Sequence, residues 1–207
     1  MIVGNSIKMV KVWLVLLALL LTAAPASGSY HLWQVSEVFS TADGEIQFIE
    51  FFNFNGGEQF LKTFNVEVTR TGGSGFFFPT DLPVPGVQPT TANKSFLVGT
   101  PSYAAFPGAA APDYVLPSDN FFDVSGDTLR LDGDVFGICC SVTYGSGALP
   151  TDGLNSLIPG GGAQLNTPTN FAGQTGFVPE PATAAILACG SVMLLGRPRR
   201  HAAARRE

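Results

Sequence analysis

The chain is poor in histidine, cysteine and charge, and each shortage closes off a class of function. Its 207 residues hold two histidines, three cysteines and 13% charged residues. The histidines are His31 and His201, near the two ends of the chain. A nucleophile–base pair usually needs a histidine, and a zinc site needs three or four Cys, His or carboxylate ligands, so hydrolase triads and zinc centres are hard to build. Three cysteines are too few for a disulfide-framework protein. Basic residues are scarce in the middle. Between positions 30 and 177 stand only Lys62, Arg70, Lys94 and Arg130 against fourteen acids, a balance of −10, although the whole chain carries −5. Such a surface repels phosphates, which argues against nucleic-acid binding. No stretch of this middle shows a helical apolar stripe of three or more turns. What remains is one domain with tails, and at 45% hydrophobic residues it has enough apolar material for a core.

The ends carry most of the positive charge and what helix signal there is. At the N-terminus, Lys8 and Lys11 precede the apolar run Val12 to Leu21, and Ala24-Pro25-Ala26 offers small residues for cleavage. This is the pattern of a secretory signal, expected to occupy residues 1–28 and to pass through the Sec translocon. At the C-terminus, Val178-Pro179-Glu180-Pro181 is followed by an uncharged apolar stretch from Ala182 to Gly196 and then by Arg197, Arg199, Arg200, Arg205 and Arg206. Fifteen helical residues cover about 22 Å, short of a hydrocarbon core of about 30 Å. A span here requires Arg snorkelling or local thinning of the bilayer. The arginines are expected to stay cytoplasmic, which puts the middle of the chain on the other side of the membrane.

This tail resembles the PEP-CTERM sorting signal of exopolysaccharide-producing Gram-negative bacteria. The resemblance rests on the Val178–Pro181 motif, the short apolar helix and the terminal arginines, about 30 residues at positions 178–207. It implies recognition by a membrane enzyme, exosortase, that cuts near the motif and passes the protein to the envelope, outer surface or extracellular matrix. In that case the five tail arginines leave with the helix.

The middle reads as all-β. All 17 phenylalanines lie there, with 20 of the 24 glycines and 11 of the 15 prolines. Short aromatic and β-branched runs bounded by Gly, Pro, Asn and Asp predict strands. Seven are expected: 32–39, with Trp33, Val35 and Phe39 on one face; 45–53, a dense central strand; 63–70, with Phe64, Val66 and Val68 inward and Asn65, Glu67 and Thr69 outward; 76–78; 95–99; 128–132, with Leu129 and Leu131 on one face; and 135–144. They suggest a two-sheet sandwich over 30–145 or, alternatively, a partly closed barrel. The segments 79–91 and 104–117 are expected as surface loops. Residues 146–177 are low in strand signal and are expected as irregular chain and a spacer to the membrane.

A second resemblance enters here. Val35-Ser36-Glu37-Val38, then Gln47-Phe48-Ile49-Glu50-Phe51-Phe52-Asn53, Phe96-Leu97-Val98-Gly99 and Gly126-Asp127-Thr128-Leu129-Arg130-Leu131 look like successive strands of the lamin-tail domain. Thr63-Phe64-Asn65-Val66 stands where that family has its Gly-Trp pair. The likeness spans about residues 32–144. It implies an immunoglobulin-like β-sandwich, flanked here by the signal helix and the short C-terminal transmembrane helix, with a binding role and no shared catalytic set.

Three groups of residues carry possible chemistry. Glu37 and Glu50 come from strands expected to be neighbours, the minimum for a carboxylate-pair mechanism; the bland alternative is two solvated acids. Asp119, Asp123, Asp127, Asp132 and Asp134 fall within sixteen residues. They make either an oxygen-rich Ca²⁺ loop or a solvated acidic loop. Cys139 and Cys140 are adjacent, so in a regular strand their side chains point to opposite faces. The expectation is one buried and one partly exposed thiol, with an intermolecular link or a redox role as the sharper reading. Cys189 lies in the tail. Together these residues describe an exported, non-catalytic binding or structural module that meets exopolysaccharide or envelope proteins. The alternatives are a carboxylate-pair enzyme acting on matrix polysaccharide and a permanently anchored single-pass membrane protein.

Overall fold

A computed structural model of the chain describes residues 32–70, 73–82, 90–133 and 137–178. The signal segment, Asp134, Pro179–Pro181, the apolar tail and the tail arginines lie outside the described residues. Ten strands run in chain order: β1 Trp33–Ser40, β2 Gln47–Asn53, β3 Asn65–Arg70, β4 Gly73–Phe77, β5 Lys94–Gly99, β6 Tyr114–Val115, β7 Asp127–Asp132, β8 Ile138–Tyr144, β9 Asn155–Ile158 and β10 Gly162–Leu165. Among the described residues one short α-helix, α1, covers Pro101–Ala104, with the Thr100 hydroxyl accepting from the Tyr103 N–H at its start, and a single 3-10 turn covers Leu61–Thr63. No helix of the described residues is long and apolar enough to cross a membrane.

The strands form two sheets, one ordered β10-β9-β1-β2-β5-β6 and the other β4-β3-β7-β8. All neighbours are antiparallel except β5 and β6. The sheets pack face to face around a core to which both contribute. Trp33, Val35, Val38, Ile49, Phe51, Phe96 and Val98 come from the larger sheet, and Val66, Val68, Leu129 and Leu131 from the smaller. This is the all-β sandwich that the alternating apolar runs require. Aromatic packing tightens it: Phe51 stacks on Phe96 at 4.6 Å, and Trp33 meets Phe96 edge-on at 4.7 Å. The Trp33 indole N–H donates to the Glu58 carbonyl at 3.0 Å, so this large buried ring leaves no polar group unpaired.

Strict alternation along 32–39 fails at one residue. A bulge between Val35 and Glu37 leaves Ser36 without a register partner on β2. An extra residue in a period-two strand reverses the faces beyond it. Trp33 and Val35 point into the main core, and after the bulge Val38 does so instead. Phe39, expected beside Trp33 and Val35, lies on the opposite face and joins Phe48, Leu97, Tyr103, Ala110 and Val178 in a second apolar cluster. The six-stranded sheet is therefore covered on both faces. This explains why β2 is buried almost throughout and reads as continuously apolar.

Other differences follow from tertiary contacts. Glu67, expected outward and solvated, is buried beneath a two-point pairing with Arg130, whose Nε donates to it at 2.6 Å. The loop expected over 104–117 contains β6 and the buried Ala110 and Leu116. Residues 146–177, expected as spacer, supply β9 and β10 and then a hairpin that packs on the sheet.

Candidate functional site

The outer face of the six-stranded sheet carries three buried or half-buried carboxylates in a row. Glu37 on β1 and Glu50 on β2 are direct register partners, and Asp113 sits just before the edge strand β6. The bulge at Ser36 is what turns Glu37 to this face, because with strict alternation it would share the core face with Trp33 and Val35. Glu37 and Glu50 are 4% and 7% exposed.

Residues 166–178 form a strap across this face, and the strap is held by the row. Every second backbone N–H of its first arm reaches a carboxylate. Thr167 N–H donates to Glu37 Oε1 at 2.9 Å, Thr169 N–H to Glu50 Oε2 at 2.8 Å, and Phe171 N–H to Asp113 Oδ2 at 2.9 Å. The period-two spacing of an extended chain thus matches carboxylates set out along the sheet. Hydroxyls complete each shell. Ser156 donates to Glu37 Oε1 at 2.6 Å, and Ser95 and Ser36 donate to Glu50 Oε1 at 2.7 and 3.2 Å. Asp113 also accepts the Leu97 N–H at 2.8 Å.

The strap then turns back on itself. Asn170 N–H donates to the Gln174 carbonyl, Gly176 N–H to the Pro168 carbonyl, and Thr169 bridges Thr175. The Asn166 side chain behaves as a spare peptide group: its amide donates to the Val178 carbonyl at 3.0 Å and its oxygen accepts the Val178 N–H at 2.8 Å. Val178 is fully buried in the second cluster. Gly176 is required there by close approach, since a Cβ would stand 2.1 Å from the Ala110 backbone nitrogen.

Burial raises the Glu37 and Glu50 carboxyls above their ordinary value of 4.5; the hydrogen bonds only partly offset it, and the Glu37 charge pushes Glu50 further up. Asp113 is raised for the same first reason. Two neighbouring acids with displaced pKa values are what acid–base chemistry uses. Here, however, the strap lies over both, and their oxygens already accept hydrogen bonds from this chain's own N–H and O–H groups. A general acid or base must reach a substrate proton. In this conformation the pair instead fastens the last described segment of the chain.

The structure brings Glu37 and Glu50 together and gives the four described aspartates of the acidic run local partners, while Asp134 lies outside the described residues. Asp119 accepts the Ser102 N–H and hydroxyl at 3.0 and 2.7 Å. Asp123 accepts the Ser125 N–H and hydroxyl at 2.8 and 2.7 Å, and Asp127 accepts the Asp123 N–H at 2.9 Å. Asp132 lies 3.4 Å from Arg130 Nε. Among the described residues no group of three or more His, Cys, Asp and Glu is arranged to hold a metal ion. These aspartates build turns and pairs.

Sequence reasoning missed Asp113 and the strap. The available signal was an acid set among aromatics, as in Phe48-Ile49-Glu50-Phe51-Phe52. A charge in so apolar a strand demands buried partners, though nothing local says that they come from positions 166–171. No protein-family model matches the chain, and no curated protein matches it.

Proposed function

We propose that this is an exported, non-catalytic β-sandwich protein that carries a C-terminal sorting tail of PEP-CTERM type. The Sec translocon exports it, exosortase processes it near Val178-Pro179-Glu180-Pro181, and it comes to rest in the envelope or extracellular polysaccharide matrix of a Gram-negative bacterium. The finer fold assignment, an immunoglobulin-like sandwich of lamin-tail type between a signal helix and a short transmembrane helix, belongs to the same proposal.

The observation that carries it is that the strap runs up to the motif. Val178 is held onto the sheet through Asn166 and the second apolar cluster, and it is also the first residue of the motif. A cut beyond Val178 leaves in place the hydrogen bonds that the strap makes among the described residues. The basic tail is then expendable, as an address should be. A non-catalytic role is supported by the use of Glu37 and Glu50 as strap ligands. A binding role is supported by exposed rings, Phe54 and Phe60 between β2 and β3 and Phe76 and Phe78 at β4 and its end, which are 50–68% exposed. Exposed aromatics of this number on an acidic domain suit contact with uncharged polymer or with envelope proteins.

The test is the intact mass of the envelope-associated or released form. The expected mass lacks the signal segment and residues 182–207. A mature form that retains residues 182–207 overturns sorting by cleavage and leaves a permanently anchored protein.

A further inference from the structure

Cys139 and Cys140 do not follow the strand rule. Strand β8 carries a bulge where Leu131 pairs with Cys140 but Asp132 pairs with Ile138, so Cys139 is the inserted residue. Inserting a residue cancels one alternation of faces. Both thiols therefore pack against the same main core, half-buried, instead of pointing to opposite faces. The Cys139 thiol donates to the Trp33 carbonyl at 3.6 Å.

We propose that Cys139 and Cys140 form a dithiol site for thiol–disulfide exchange, closing to a disulfide between neighbouring residues at the expense of a protein or low-molecular-weight disulfide. The Cys139 thiolate attacks one sulfur of the incoming disulfide. A Cys139–S–S–R bond forms and the second R sulfur leaves as thiolate. Cys140 then loses its proton to solvent and attacks the Cys139 sulfur, which gives the Cys139–Cys140 bond and releases the remaining R thiolate. Two thiols are oxidised, one disulfide is reduced, and no other oxidant is required.

The asymmetry of the pair fits this order. Cys139 is drawn below the ordinary thiol value, chiefly by the hydrogen bond from Cys140, while burial and the Glu58 charge oppose it. Cys140, which donates that bond and is the more deeply buried, is held protonated. A lowered, partly exposed thiol is the attacking group and its protonated neighbour the resolving one. Adjacent Cα atoms stand about 3.8 Å apart, below the usual 4.4–6.8 Å for a disulfide. The closed form is accordingly strained and readily reduced, which suits a reversible site better than a structural staple. The proposal does not depend on how the protein is exported.

The full chain with Cys189→Ser is reduced, then incubated with glutathione disulfide, and its thiols are trapped with maleimide and weighed intact. The expected product is a monomer two hydrogens lighter with both thiols lost together. Cys139→Ser and Cys140→Ser each stop as a stable glutathione adduct or as free thiol. In parallel, phenylarsine oxide, which needs two sulfurs at once, is expected to block both maleimide sites of the Cys189→Ser chain and neither single variant. Two thiols that label independently after both treatments overturn the proposal, as does a disulfide-linked dimer. The parent chain gives these readings even if a serine variant fails to fold.

Discussion

Glu37 shows most clearly how one residue changes meaning with its surroundings. Its carboxylate is nearly buried, yet each oxygen faces a donor: Ser156 and Thr167 N–H at Oε1, and the Thr167 hydroxyl, 3.5 Å away, at Oε2. Glutamine fits the same pattern, with its oxygen at Oε1 and its amide facing the Thr167 hydroxyl. At Glu50 a glutamine amide can donate to Ser36 and Ser95 while its oxygen receives Thr169 N–H. Because burial raises both carboxyls, folding favours their protonated forms. Their contribution to stability is complete below the ordinary carboxylate range and is lost as pH climbs through the raised values. Glu37→Gln and Glu50→Gln should therefore unfold at or above the wild-type temperature at pH 7 and show a flatter Tm–pH profile. A loss of several degrees at pH 7 would show that the charge itself is needed. Glu37→Ala, by contrast, strands the Thr167 N–H and leaves the Ser156 hydroxyl only the Gln164 carbonyl at 3.4 Å, at a cost of about 1–3 kcal/mol. Gly176→Ala meets the Ala110 backbone, which cannot swing aside as a side chain can. Overpacking of this kind costs about 1–3 kcal/mol, a fall in Tm of roughly 3–10 °C by calorimetry.

Among the elements, the strap decides whether 166–178 is structure or tether. A spacer can be removed without consequence. The strap adds Val178 to the cluster in which Phe39, Phe48 and Leu97 are fully buried, and its N–H groups bind three carboxylates. Ending the chain after Leu165 should lower Tm sharply and raise binding of a hydrophobic dye. Ending it after Val178 should leave Tm within a few degrees of the full chain. Equal stability of the two truncations would return the strap to the status of a linker. The two bulges are the other decisive elements. At Ser36 the bulge sends Glu37 and Phe39 outward while keeping Val38 in the core. At Cys139 it brings two thiols to one face. Each converts a one-residue offset into a different surface chemistry.

For the whole molecule, acidity is the governing property. A middle with fourteen acids and four bases repels itself at neutral pH. Lowering pH from 7 toward 5 relieves that repulsion and begins to protonate the raised carboxyls, so Tm should rise. Further acidification acts in the opposite sense on Asp43, whose carboxyl is held low chiefly by the Thr41 hydroxyl. A group of that kind stabilises above its ordinary value and loses its contribution as pH falls through the lowered one. The expected profile is a maximum in mild acid. A Tm that climbs steadily from pH 5 to pH 8 would contradict this account.

Much of this was legible in the chain itself. Period-two runs such as Val66-Glu67-Val68 and Leu129-Arg130-Leu131 dictate strands and their buried faces, because alternation is a local property of extended backbone. Scarcity of histidine and of central basic residues is likewise read directly from the chain, and it argues against hydrolase triads, zinc centres and nucleic-acid binding. What only the tertiary structure decided are matters of pairing at a distance. Thr167 meets Glu37 across 130 positions and Thr169 meets Glu50 across 119, and no short window of sequence contains both partners. The bulges were hidden for a related reason: an extra residue is defined only against the partner strand that skips it, as β2 skips Ser36 and β7 skips Cys139. Composition and periodicity thus set the class of fold and its charge, while long-range register determined which acids became strap ligands and which face each of the two neighbouring thiols meets.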